Sequence, residues 1–189
     1  YRPMPDQTAR TTALRTGEVD LVLDVPPMDV AMLQSAPGVR VDSTPGTFWE
    51  YLAFNCRRPP FDDPRVRRAV AHALDRRQLN KLVKFGRADV LDGGPIPPNH
   101  WAHAGIAMYD RPDRDRAGRL LADAGHPDGF AATLKVGSAF AYQVKAAEVI
   151  KQQLAEIGID LDVQALESGV FFDDLNAGDF DTTFVGWVG

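Results

Sequence analysis

The stretch ATLKVGSAFAYQVKAAEVIKQQLAEIGIDLDVQA, residues 132–165, decides the fold class. Its first five residues are mostly apolar and predict a short strand. Residues 142–157 repeat apolar side chains at helical spacing, which predicts a helix closed by Gly158. Residues 159–165 alternate apolar and polar side chains, the period of a strand with one solvated face. This succession predicts an α/β protein with a mixed sheet flanked by helices.

The remainder of the chain continues the alternation of helices and strands. Asp63 can cap a helix whose first position is Pro64, where the missing N–H costs nothing. Asp75 and Asp113 have the same capping role in two further helix starts. We expect helices at residues 8–15 and 28–35, and three more that begin at Asp63, Asp75 and Asp113. A further helix is expected to run from its cap, Ser168, to Leu175. Strands are expected at residues 19–25, 39–41, 47–54 and 180–187.

Composition excludes several classes of protein. With 44% hydrophobic and 25% charged residues, the 189-residue chain is expected to be globular rather than disordered. Its net charge of −5 gives no basic footprint for nucleic acid. Cys56 is alone, so no disulfide can form within the chain. No apolar run approaches the ~18 residues that a membrane span needs. The residues from Tyr1 lack the charged and apolar regions of an export signal, so we expect any such signal to have been removed or to lie outside this sequence.

The sequence offers no site for chemistry. Most carboxylates are explained as helix caps or solvated strand positions, and no catalytic pair stands out. His100 and His103 could hold a metal, but their loop is rich in proline and glycine and supplies no obvious third ligand. His72, on the helix after Asp63, is expected at the surface. We therefore predict no enzyme, no cofactor and no metal site.

Aromatic residues are the candidate binding residues. They occur on a predicted strand, at a strand end and between a strand and a helix, where clefts use them because they offer large contact area at low entropic cost. Core packing is the alternative for each of them. The candidates are Phe48, Trp49, Tyr51, Phe140, Tyr142 and Trp187, with Trp101 as a weaker one.

Several short motifs are spread along nearly the whole chain. They are GEVDL (17–21), LAFN (52–55), PPFDDPRVRRA (59–69), ALDR (73–76), PIPP (95–98), YD (109–110), LLADAGHPDGF (120–130), QLAEIGI (153–159), GDFD (178–181) and GW (186–187). Together they resemble family 5 of the bacterial extracellular solute-binding proteins, the oligopeptide-, dipeptide- and nickel-binding group. They occur in the order found in that family, which makes the combination specific although each motif alone is weak.

The resemblance implies a fragment of a two-lobed protein of the type II periplasmic-binding-protein kind. Residues 1–47 would be the end segment of lobe one, residues 48–55 a hinge strand, and residues 56–189 a C-terminally truncated lobe two. The lobes of such proteins close around a solute by hinge bending. On this basis the aromatic residues near the hinge and at the strand ends would line the cleft.

The resemblance also implies a function and its partners. A monomeric, periplasmic or membrane-anchored extracellular protein would bind a small molecule or peptide and deliver it to the membrane permease of an ABC transporter. Dipeptide-binding members tend to carry an arginine before the helix that here starts near Tyr142, and none occurs between Val136 and Lys145. Peptides remain the first expectation, and nickel chelates, opines and glycosides stay open. The alternative is a ligand-sensing effector domain of a transcription regulator.

Overall fold

A computed structural model of the protein describes residues 2–91 and 93–188. The helices are α1 (Gln7–Arg15), α2 (Val30–Gln34), α3 (Pro64–Ala73), α4 (Arg76–Val83), α5 (Arg114–Asp123), α6 (Ala141–Ala155) and α7 (Ser168–Ala177), and the strands are β1 (Phe48–Phe54), β2 (Phe130–Gly137), β3 (Ile159–Leu166) and β4 (Thr182–Val188). From β2 onwards strands and helices alternate, as the sequence predicted.

Side-chain caps begin most of these helices. The carboxylates of Asp63, Asp75 and Asp113 accept the hydrogen bonds that cap α3, α4 and α5, which confirms the three predicted caps. The prediction for α7 was wrong by one residue. Glu167, not Ser168, is the cap, and its Oε2 accepts a 2.8 Å hydrogen bond from the N–H of Gly169. The carboxylate of Glu167 thus takes the capping role that we had predicted for Ser168.

The four strands form one mixed sheet in the order β1-β4-β2-β3. Strand β2 pairs in parallel with both β3 and β4, while β1 pairs antiparallel with β4 along its whole length. The predicted α/β class with a mixed sheet is therefore confirmed.

The main hydrophobic core lies between one face of the sheet and the helices α3, α5 and α6. Leu134 and Val136 of β2 and Ile159 and Leu161 of β3 are almost completely buried there. Burying one such side chain contributes about 1.5–3 kcal/mol. We call this side of the sheet the core face. Helix α7 contacts β2 on the other side, which we call the α7 face.

The chain divides into two compact units, Tyr1–Gly46 and Thr47–Gly189. The assignment of these parts to two lobes and a hinge stays a prediction. In the first unit, residues 19–25 and 39–41 are not strands, which corrects our expectation. No described strand pairs with either segment, and an extended segment without a partner leaves its backbone groups to water. Among the described residues, no helix is both long and apolar enough to cross a membrane.

Candidate functional site

Strands β1 and β4 project beyond the rest of the sheet. Thr183 of β4 pairs with Lys135 of β2, and this register brings the end of β2 at Gly137 level with Val185. The remaining residues of β4 pair only with the first residues of β1. Residues 48–50 and 186–188 therefore form a two-stranded projection at the carboxyl edge of the parallel strands. Open α/β sheets bind ligands beyond this edge.

Three candidate aromatic residues lie together on the α7 face, two of them on this projection and the third beside it. Trp49 is directly opposite Trp187 in the antiparallel ladder, so their side chains point to the same side. Tyr51 lies two residues along the same strand, and its ring stacks on Trp49 with centroids 4.5 Å apart. Trp187 remains 61% exposed, which leaves its ring available for contact.

Phe48 lies on the core face of the projection, where a glycine makes room for its ring. A Cβ atom added to Gly186 would lie 2.3 Å from the Cζ atom of Phe48. Real Cβ atoms do not approach other atoms so closely, so the ring occupies the space of the missing side chain. The ring is thus held across β4, and half of the Phe48 surface stays exposed.

A charged pair follows Phe48 on the same face. The Nζ atom of Lys84, just after α4, lies 2.7 Å from Oε2 of Glu50 in β1. The two side chains are only 21% and 12% exposed. The same Nζ atom lies 3.6 Å from the centroid of the Tyr142 ring in α6, a close cation–π contact.

Phe140 and Tyr142 stand where β2 leads into α6. Their ring centroids are 5.7 Å apart. Phe140 is half exposed, whereas Tyr142 is partly buried against Val83, Ala146 and Val149. Phe140 is also the N-cap residue of α6 and provides no side-chain cap.

The structure thus brings the six candidates into two groups at one end of the sheet. The α7-face group is Trp49, Tyr51 and Trp187. The core-face group is Phe48, Phe140 and Tyr142, with Glu50 and Lys84 between them. Trp101 is separate, since it lies in the loop before α5, is 91% exposed and has its ring near His100.

Sequence reasoning missed Glu50, Lys84 and Gly186. A visible signal existed for Glu50, because a carboxylate between aromatic residues on a half-buried strand needs a partner. Lys84 gives no such signal, since a lysine at the end of an exposed helix is ordinary. Gly186 was noted only as part of the GW motif, and the need for a glycine follows from Phe48 lying across it.

Asn55 anchors the end of β1 that lies away from the projection. Its side-chain amide donates hydrogen bonds to the carbonyl oxygens of Gly178, at 2.9 Å, and Phe180, at 3.0 Å. The N–H of Arg57 donates to its Oδ1 at 3.1 Å. The asparagine of LAFN and the GDFD motif are therefore joined directly, and this joint fixes the start of β4 beside β1.

Lys135 anchors α7 to the sheet. Its Nζ atom lies 2.7 Å from Oδ2 of Asp174 and 2.6 Å from the carbonyl oxygen of Asp179, and the residue is 9% exposed. Hydrogen bonding to Asp174 is the main cause that raises the pKa of Lys135 above its usual value.

His72 is buried, which corrects the expectation that it lies at the surface. It packs edge-on against Tyr109, with ring centroids 5.0 Å apart. Burial lowers the pKa of His72 below its usual value, and the charge of Arg116 adds to that effect while the nearby Asp113 opposes it. Helix α5 packs against α3, and Tyr109 of the loop before α5 covers the His72 ring.

The two loop histidines bind the backbone around them. The Nδ1 atom of His100 accepts a hydrogen bond from the N–H of Ala102 at 3.1 Å, and the Nδ1 atom of His103 lies 2.8 Å from the carbonyl oxygen of Ile96. Within residues 2–91 and 93–188, no group of three histidine, cysteine, aspartate or glutamate side chains is arranged to hold a metal ion.

Comparison with known families gives a match over the whole chain. The family described as "Bacterial extracellular solute-binding proteins, family 5 Middle" matches residues 1–189. The chain is 33% identical over 187 residues to the probable di/tripeptide-binding protein 5 of Pseudomonas aeruginosa, covering 98% of this chain and 35% of that protein. It is 32% identical over 169 residues to the glutathione-binding protein GsiB of Salmonella choleraesuis, covering 89% of this chain and 33% of that protein.

Solved structures give the same result. The periplasmic binding protein DppA of Helicobacter pylori, in complex with the peptide STSA, has a TM-score of 0.88 at 30% identity, covering 100% of this chain and 36% of that one. The binding protein AgaA of Agrobacterium tumefaciens, in complex with agropinic acid, has a TM-score of 0.87 at 30% identity, covering 98% and 38%. The chain therefore spans about a third of the length of the relatives that it matches.

Proposed function

This chain belongs to family 5 of the bacterial extracellular solute-binding proteins, and on that premise we propose that the protein containing it captures peptides for an ABC transporter. The observation that carries the proposal is the pair of aromatic groups at the projecting end of the sheet, one on each face. Both groups lie at the carboxyl edge of the parallel strands, where open α/β sheets bind ligands. Half-exposed aromatic rings in such a place offer contact area for a solute.

The mechanism is capture by closure, without a chemical step. A ligand drives closure only if it binds the closed form better than the open form. Strand β1 would be the hinge strand, and the aromatic rings on β1 and on the neighbouring β4 would contact the solute at the base of the cleft. In this mechanism the protein is not an enzyme and needs no cofactor.

Peptides are the ligands that we favour. Two relatives are named for peptide or glutathione binding, and one similar structure holds the peptide STSA. No arginine lies between Val136 and Lys145, the segment in which dipeptide-binding relatives tend to carry one. We therefore expect peptides longer than two residues, whose backbone can be held by strand-like hydrogen bonds.

The remaining parts of the proposal follow from the family. The protein would act as a monomer in the periplasm, or outside the cell on a membrane anchor, and would deliver its ligand to a membrane permease. No observation favours the alternative of an effector domain in a transcription regulator.

The test is a set of thermal melts on the full-length protein. The ligands would be the dipeptide Met-Leu, glutathione, the tetrapeptide STSA, agropinic acid and a nickel chelate. A ligand at a hundred times its Kd stabilises the folded state by about 2.7 kcal/mol. We expect a saturable rise in Tm with STSA or glutathione that exceeds the rise with Met-Leu. A folded protein that responds to none of the five would contradict the proposal.

Paired variants test the location of the site. Trp187→Ala should weaken binding of the responding peptide by about tenfold, because a ring of this size provides much of a contact surface. Trp101→Ala, a matched change at an exposed loop residue, should leave the affinity unchanged. Equal effects of the two variants would exclude the projection as the site.

A further inference from the structure

We propose that Glu50 and Lys84 are positioning residues that fix the Phe140–Tyr142 pair of rings relative to β1. The inference rests on the proposed function, since it treats those two rings as part of the ligand site. Neither Glu50 nor Lys84 is proposed to contact the ligand. Their effect passes through the Tyr142 ring.

The first step of the argument concerns the carboxylate. Glu50 lies in the projecting half of β1, and its side chain is 12% exposed. Its Oε2 atom pairs with Lys84 at 2.7 Å, and its Oε1 atom is buried without a hydrogen-bond partner among the described residues. A buried carboxylate is costly unless it is paired, so the position of Glu50 depends on the ammonium group of Lys84.

The second step concerns the ammonium group. Its Nζ atom is held between Oε2 of Glu50 and the ring of Tyr142, 3.6 Å from the ring centroid. A desolvated cation over an aromatic face is attracted by the ring quadrupole. The lysine therefore links a strand and a helix that are far apart in sequence, and the link uses one face of the Tyr142 ring.

The third step concerns the ring and its neighbour. Tyr142 packs with Val83, Ala146 and Val149, and Lys84 contacts its ring. The ring centroid of Phe140 lies 5.7 Å from that of Tyr142, and Phe140 stays half exposed. The ion pair therefore fixes these two rings relative to β1, which carries Phe48, the third ring of the same group.

The experiment compares single and double replacements in the full-length protein. Lys84→Met keeps the length of the side chain but leaves the Glu50 carboxylate buried and unpaired, so Tm should fall sharply. Adding Glu50→Gln removes that uncompensated charge, so Tm should recover. The double variant still lacks the cation over Tyr142. Its affinity for STSA and for glutathione should therefore remain about fivefold to tenfold below the wild-type value.

A purely structural ion pair gives a different outcome. In that case the double variant regains both Tm and affinity, and the proposal is overturned. The matched control neutralises Arg114 and Glu156, which form an exposed pair at 2.9 Å between α5 and the end of α6. The double variant Arg114→Met/Glu156→Gln should leave both Tm and affinity close to the wild-type values.

A second measurement needs no ligand and separates this inference from the proposed function. Over the Tyr142 ring, the ε-methylene protons of Lys84 should show a ring-current upfield shift in NMR spectra of selectively labelled protein. Glu50→Gln should reduce that shift. If the wild-type protein responds to none of the five ligands, the proposed function fails while this shift still tests the positioning. An unshifted Lys84 signal in the wild type overturns the positioning itself.

Discussion

Replacing Asn55 with alanine should destabilise the fold by about 2–3 kcal/mol, because three hydrogen bonds of a buried side chain are lost. Asn55 is 8% exposed, and its amide donates to the carbonyl oxygens of Gly178 and Phe180 while its Oδ1 accepts from Arg57. Each bond contributes about 1 kcal/mol net. The expected loss is less than the full sum because the Gly178 carbonyl keeps a 2.8 Å hydrogen bond from Nη2 of Arg58.

Thermal unfolding followed by far-UV circular dichroism would measure this loss. For a unit of this size, about 2–3 kcal/mol corresponds to a fall in Tm of about 5–10 °C. Asn55→Asp should be at least as harmful, since its carboxylate would face two carbonyl oxygens. Asn99→Ala, at an exposed loop position, is the control.

The shared acceptor provides the stricter check. Arg58→Ala alone should cost less than about 1 kcal/mol, because the arginine is largely exposed. In the double variant Asn55→Ala/Arg58→Ala the Gly178 carbonyl would have neither donor. The stability lost in the double variant should therefore exceed the sum of the losses in the two single variants. Additive losses, or a fall in Tm below about 2 °C for Asn55→Ala, would refute the assignment of Asn55 as the joint between β1 and β4.

Three further predictions follow from particular contacts. Gly186→Ala should cost about 1–3 kcal/mol by displacing the Phe48 ring, and Phe48→Ala in the same chain should remove most of that cost, as urea unfolding would measure. Lys135→Met should destabilise the fold by about 2–4 kcal/mol at neutral pH. Because the pKa of Lys135 is raised in the folded state, the charged lysine should stabilise the wild type up to about pH 10.5, and this stabilisation should be lost at higher pH. The difference in stability between wild type and variant should therefore become smaller above that pH. Because burial lowers the pKa of His72, the unfolded chain takes up a proton as the pH falls below about 6.5 while the folded chain does not. The Tm of the wild type should therefore fall as the pH is lowered below about 6.5, and it should fall more steeply than the Tm of His72→Gln. The control His103→Gln, at an exposed position, should show the same dependence of Tm on pH as the wild type.

Local patterns predicted most of the second unit. Helices α3, α4 and α5 begin where the capping aspartates indicated, and the alternation in residues 159–165 gave β3 with its solvated face. These features depend on side chains within a few positions of one another. The family motifs added the order of the elements but not their contacts.

The features that escaped prediction depend on distant partners. Residues 19–25 have the pattern of a strand, yet a strand forms only where a neighbour supplies hydrogen bonds. His72 was wrongly expected at the surface, because the loop that covers it lies later in the chain and its contact with α3 leaves no local signal. At the candidate site, the sequence placed Trp49 and Tyr51 together, but their alignment with Trp187 follows from the register between β1 and β4.

The pairing of β1 with β4 also has a consequence for the order of folding. Asn55 and the carbonyl groups that it binds are separated by 123 and 125 residues in sequence. Strand β1 has no partner other than β4 in the described sheet. It can therefore pair only after nearly all of the second unit has been synthesised. Closing so long a loop costs chain entropy before any contact offsets it, and contacts of this range slow folding. The α3–α6 and β2–β3 core can form earlier from nearer segments, so the last structure to form would be the projection that carries Phe48, Trp49 and Trp187.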